Sequence, residues 1–194
     1  FTIPSSVVPQ TFVEAVHPAR DTLPANLLRM YIYFSAPMSM GEAYEHLHLK
    51  DENGKEVDKP FLVVDQELWD GNRQRFTLLF DPGRIKRGVK SNIDLGMALR
   101  AGNSYRLVID SAWQDGRGNA LMRGVDKKLV ITAPAREKLS KENWKIIDPE
   151  AGSKNPLVVK FDKALDHALG LKYILVTDSF GNIVEGKTKM REKD

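Results

Sequence analysis

His46 and His48 stand two residues apart, shortly after Met38 and Met40, and imidazole nitrogen with thioether sulfur suits copper, or zinc through the imidazoles alone. On an extended strand residues two apart share a face, so both rings would point to one side. Two imidazoles do not complete a coordination shell, and a pair of surface histidines is the heavier reading. A second group is acidic: Asp65, Glu67 and Asp70 surround Trp69. They would supply carboxylate oxygens for calcium or, with the indole as a platform, a grip on a sugar ring. Calcium asks for about six oxygens or more at short range, so a solvated loop in which Trp69 covers one end of the core outweighs ligand binding. Asp115-Gly116-Arg117-Gly118-Asn119 has a calcium-like composition but too few acids, and its glycines read as a turn.

Catalytic groups are harder to assemble. Ser35 and Ser39 precede His46 and His48, but no Gly-x-Ser-x-Gly elbow or comparable setting would activate either hydroxyl. The stretch between Gly83 and Gly88 lacks the Gly-Lys-Ser/Thr ending of a phosphate loop. There is no cysteine, which excludes disulfides, thiolate metal sites and a thiol nucleophile. The expectation is a protein that is not an enzyme and that carries no cofactor.

The chain that must position these residues has 194 residues, enough for one or two cores of ordinary size. With 42% hydrophobic and 28% charged residues it has the composition of a soluble protein, and no apolar run suggests membrane insertion. Its 29 basic and 26 acidic residues are well mixed and leave a net charge of only +3, too weak a field to draw nucleic acid. The one basic cluster, Arg84, Lys86, Arg87 and Lys90, has no interleaved aromatic residues to stack on bases and reads as a solvated loop.

Short runs of alternating apolar and polar residues dominate the pattern and predict strands over 11–16, 28–34, 44–50, 57–64, 75–80, 104–110 and 127–132. Met30, Ile32 and Phe34 would share one face, as would Leu47 and Leu49, Phe76, Leu78 and Phe80, and Tyr105, Leu107 and Ile109. The fourth strand would break near Pro60, which cannot donate to a ladder. Asp51-Glu52-Asn53-Gly54, Asp178-Ser179-Phe180-Gly181 and the Asp115 segment supply hairpin turns, because aspartate bonds its own backbone and glycine accepts positive φ. A helical turn after the second strand is expected from a capping box of Ser39 and Glu42, with Asp166 as a cap at the corresponding later place. Seven short strands in one stretch are what a two-sheet sandwich needs. Pro134 and the charged run 136–142 then mark a boundary, giving one domain over 1–135 and a partial second module over 136–194.

An internal repeat supports that division. Residues 29–57 recur without a gap at 156–184, at a constant offset of 127 residues that takes Phe34 to Phe161, Asp51 to Asp178, Gly54 to Gly181 and Val57 to Val184. Apolar positions coincide too: Met30, Ile32, Met38, Leu47 and Leu49 fall on Leu157, Val159, Leu165, Ile174 and Val176. A period this long means tandem domains rather than a solenoid. The repeat places Tyr173 and Leu175 where the first copy has His46 and His48, so the scaffold itself does not require histidine there.

The run Tyr33-Phe34-Ser35-Ala36-Pro37-Met38, then Asp51-x-x-Gly54, Phe76 to Phe80 followed by Asp81-Pro82, Gly102-x-x-Tyr105 and Asp115 to Leu121, resembles the bacterial Ig-like domains of the surface-layer type. The resemblance covers about residues 10–133 as one whole domain and 144–194 as the opening of another. It implies an all-β, Ig-like antiparallel β-sandwich in tandem with an incomplete second module. It also implies an extracytoplasmic place (periplasmic, cell surface or secreted) and a noncatalytic role as spacer or as a module that binds protein or glycan at the cell surface. The first residue, Phe1, reads as the start of a processed or trimmed product. Since the second copy stops short of counterparts to residues 76–80 and 105–109, the chain reads as a fragment of a longer protein. The alternative is a half-module packed on the first domain or on a partner, its open edges inviting a homodimer. Two further alternatives are a periplasmic copper- or zinc-binding sandwich using His46 and His48, and an accessory domain of a larger secreted enzyme.

Overall fold

The computed structural model describes residues 9–86 and 88–191. The chain divides into two compact units, with the division between Ala135 and Arg136.

The first unit is an all-β sandwich with, among the described residues, seven strands: β1 (Val13–His17), β2 (Thr22–Pro24), β3 (Arg29–Phe34), β4 (Leu47–Asp51), β5 (Arg75–Leu79), β6 (Ser104–Ile109) and β7 (Val125–Thr132). One sheet has the order β1-β3-β5 and the other β2-β7-β6-β4. All pairings are antiparallel except β2 with β7, which is parallel. The alternation read in the sequence sets the register: Met30 lies opposite Leu78 and Ile32 opposite Phe76, while Leu47 faces Ile109 and Leu49 faces Leu107. These side chains are buried between the sheets together with Phe34, Phe80, Leu129 and Ile131. Trp113, fully buried, packs edge-on against Phe34 at 5.1 Å and Phe76 at 5.8 Å and closes one end of the core.

Four expectations change. Residues 44–46 are not strand: a 3-10 turn occupies Ala43–Glu45, and β4 begins only at Leu47. The capping box behind that turn does not form. Ser39 donates its hydroxyl to the Gln114 carbonyl at 2.8 Å, and the Ala43 N–H is taken by the Glu67 carboxylate at 2.7 Å. Residues 57–64 make no strand either, only single bridges at Glu56 and Phe61. Lys59 there has φ of +43°, and Pro60 offers no donor.

The basic cluster is likewise not a plain solvated loop. Asp81 caps a short helix, α1 (Pro82–Ile85), through Gly83 N–H at 2.7 Å, and α2 (Lys90–Leu95) follows. Arg84 is buried, while Lys86 and Lys90 stay exposed; Arg87 lies outside the described residues. The Arg84 guanidinium donates to the carbonyls of Asp58, Lys59, Leu95 and Gly96, so a single cation ties the irregular 57–64 segment to the end of α2.

The second unit holds β8 (Lys145–Ile147), β9 (Val158–Lys160) and α3 (His167–Tyr173). Ile146 lies opposite Val159 in an antiparallel pair, as Val16 lies opposite Ile32 in the first unit. Asp166 caps α3 through Leu169 N–H at 2.9 Å. The hairpin after it reproduces the earlier one bond for bond. Asp51 Oδ1 accepts from Asn53 and Lys55 N–H, and Asp178 Oδ1 from Phe180 and Asn182 N–H. Val57 N–H reaches Leu49 O at 2.8 Å, and Val184 N–H reaches Val176 O at 2.9 Å. Single bridges join Lys50 to Glu56 and Thr177 to Ile183, again at equivalent places. Gly54 and Gly181 take φ of +78° and +85°, the left-handed region that an aspartate-led turn of this shape needs filled by glycine. Among the described residues no helix is long and apolar enough to cross a membrane.

Candidate functional site

Trp69 sits where the chain rejoins the sandwich. Its backbone bridges Phe76 of β5, and Thr77 N–H bonds Leu68 O at 2.8 Å, so the segment before it is drawn along the sheet edge. The indole packs on Phe76 at 4.9 Å, Trp113 at 5.8 Å and Phe34 at 5.9 Å. Glu67 is engaged at both oxygens, one accepting from Ala43 N–H and the other from the Trp69 indole N–H, each at 2.7 Å. Asp70 Oδ1 accepts from Gln74 N–H at 2.9 Å and Arg75 N–H at 3.1 Å, which shapes the turn into β5. Asp65 is exposed. The acidic group thus serves largely as local scaffolding: Glu67 clamps the 3-10 turn to the indole, and Trp69 covers the core. Burial pushes the neighbouring Tyr44 phenol above its ordinary pKa, and the Glu67 charge adds to the effect.

His46 and His48 make separate contacts. The His46 ring stacks on Trp113 at 5.9 Å with an interplanar angle of 17°, its Nε2 4.0 Å from Glu42 Oε2. His48 Nδ1 lies 3.0 Å from Glu56 Oε1 across the hairpin. Of the nearby methionines, Met38 is core and Met40 is exposed. Among the described residues no group of three or more His, Cys, Asp or Glu side chains converges as a metal site.

A groove at the same end of the sandwich was not legible beforehand. Gln10 to Phe12, Ser35 to Pro37, Arg73 and Asp115 to Arg117 line it. Asp115 is buried at its base, accepting from the Thr11 hydroxyl at 2.8 Å and from Arg117 and Asn119 N–H at 2.9 Å each. Burial works against its charge, yet these bonds outweigh it and hold the carboxyl below the usual carboxylate range. Gly116 donates to Pro37 O at 2.7 Å, and a Cβ there would meet that oxygen at 3.2 Å, a contact that any larger residue could make only by shifting the Pro37 backbone. Arg73 holds φ of +56° on the rim, in a turn opened by Asp70 where the hairpins carry glycine. The signal for it is present in the sequence, Asp70-Gly71-Asn72-Arg73 being the aspartate-led turn with its glycine displaced. Both hydroxyls of the groove are engaged: Thr11 donates to the buried Asp115 carboxylate at 2.8 Å, and Ser35 Oγ accepts from Phe12 N–H at 3.0 Å.

No family model matches the chain, and no curated protein matches it. Among solved structures it is similar to domains 1–6 of the surface layer protein SbsC, at 14% identity and a TM-score of 0.42, over 93% of this chain and 20% of that one. A second structure, the S-layer protein rSbsC(31–844), matches at 14% identity and a TM-score of 0.42, over 92% and 19% respectively. The chain therefore spans about a fifth of the length of these structures. At that TM-score the overlap is too loose to carry fold or function.

Proposed function

We propose that this chain is a noncatalytic, Ig-like stretch of an exported bacterial protein, in which β-sandwich modules follow one another as spacers or as presenters of a protein- or glycan-binding surface. The observation that carries this reading is the recurrence of one building block, strand pair, helical turn and aspartate-led hairpin, in both units with equivalent hydrogen bonds. Serial copies of a β module extend a polypeptide without requiring a reaction centre in any of them. The direct test is antibody raised against the 194-residue chain. It is expected to stain intact cells of the source bacterium, and staining confined to permeabilised cells would overturn the extracytoplasmic assignment.

A further inference from the structure

The turns opened by Asp51, Asp115 and Asp178 place glycine three residues on, at Gly54, Gly118 and Gly181, each with positive φ. The turn opened by Asp70 has the equivalent bond, Arg73 N–H to Asp70 O at 3.0 Å, but sets arginine there, at φ of +56°. A Cβ disfavours this left-handed backbone, and residues held in it gather where a side chain is put to use. Here the side chain is delivered to the groove. Arg73 Nη2 stands 3.7 Å from the position that a Cβ on Gly116 would take, so the guanidinium lies against the Asp115 turn. Arg117 of that turn lines the same groove, its N–H held by Asp115 at 2.9 Å. Both arginines are exposed, and among the described residues neither guanidinium donates a hydrogen bond or meets a carboxylate. Asp115 beneath them has both oxygens engaged by Thr11, Arg117 and Asn119, which leaves the guanidinium charges to an incoming anion.

The walls select what carries that anion. The N–H groups of Phe12, Ser35, Gly116 and Arg117 are already paired within them, and Pro37 has none, so an extended peptide finds little main-chain bonding. Phe12, 37% exposed, and Pro37 instead offer apolar side-chain surface beside the arginines. The space is about 450 Å³, within the roughly 300–1,000 Å³ of small-ligand pockets. Apolar surface for the face of a ring, next to guanidinium forks for a planar carboxylate, fits a sugar acid.

We propose that this groove binds uronic acid units of an acidic polysaccharide, the carboxylate held by Arg73 and Arg117 and the ring resting on Phe12 and Pro37. The proposal rests on the reading of the chain as presenter of a glycan-binding surface. Titration in solution tests it apart from cell staining, so its failure leaves the location and the spacer role standing. The probes are digalacturonate, neutral galactobiose of the same linkage and tetraglutamate, each titrated into the full 194-residue chain with amide NMR shifts read at Thr11, Gly116 and Arg117. Digalacturonate is expected to bind about tenfold tighter than galactobiose and to shift those amides, and Arg117→Gln to weaken it about fivefold. Arg73→Gly separates binding from a structural role: the urea midpoint is expected to rise as glycine relieves the backbone, while digalacturonate affinity falls about fivefold. Equal affinity for the two sugars, no binding of either, or full digalacturonate affinity in Arg73→Gly would overturn the proposal. So would tighter binding of tetraglutamate, since the partner would then be an acidic polypeptide.

Discussion

Asp115 is the residue on which the groove and the end of the sandwich depend. Its folded pKa lies below the unfolded one, so its contribution is complete above the ordinary carboxylate range and is lost as pH falls through the folded value. The unfolding free energy is expected to decline below about pH 4. Asp115→Asn should cost about 1–2 kcal/mol at neutral pH and show a shallower decline, because the amide keeps an acceptor but not the charge. Urea titrations of both proteins across pH check this; parallel curves would remove Asp115 from the account. Sequence reading recognised the turn here, since aspartate and glycine are local signals. It did not anticipate the groove, because Thr11 lies 104 residues away and nothing local pairs it with Asp115. The same limit applies to Trp69, whose covering role was legible while the Glu67 clamp on Ala43 was not.

Alternation made most strands legible, since burying one face of each sheet imposes a period of two on the residues that build it. It failed where other forces set the backbone. β2 has three residues, too few to alternate, and is held by its neighbour rather than by its own pattern. Residues 57–64 look strand-like, but the carbonyls of Asp58 and Lys59 are claimed by Arg84, a cation that charge density alone assigns to solvent. Arg84→Leu is expected to lower stability by about 3 kcal/mol, as the carbonyls of Asp58, Lys59, Leu95 and Gly96 lose a buried charged donor. Arg84→Lys should recover only part of that loss, a single ammonium being unable to serve so many acceptors in fixed directions. Chemical denaturation distinguishes the two; wild-type stability in Arg84→Leu would show the segment to be held by its packing alone.

For the molecule as a whole, the two units differ in how much apolar surface they cover. Of the buried hydrophobic side chains among the described residues, only Ala168 lies beyond Ala135. A chain ending at Ala135 is therefore expected to unfold with the same urea midpoint as the full chain, but with less than half of its fluorescence enhancement of a bound apolar dye. An unchanged dye signal would place the exposed surface in the first unit instead. One feature of that unit reaches into the time domain. Thr132 Oγ1 bonds Leu23 O, 109 residues earlier, and β2 lies along β7 at this point. Hairpins closed by a handful of residues form early at little entropic expense, whereas a clasp between the two extremities must wait for everything between them. During synthesis the unit thus stays unlatched until residue 132 has emerged, and its final act of assembly is to fasten beginning to end.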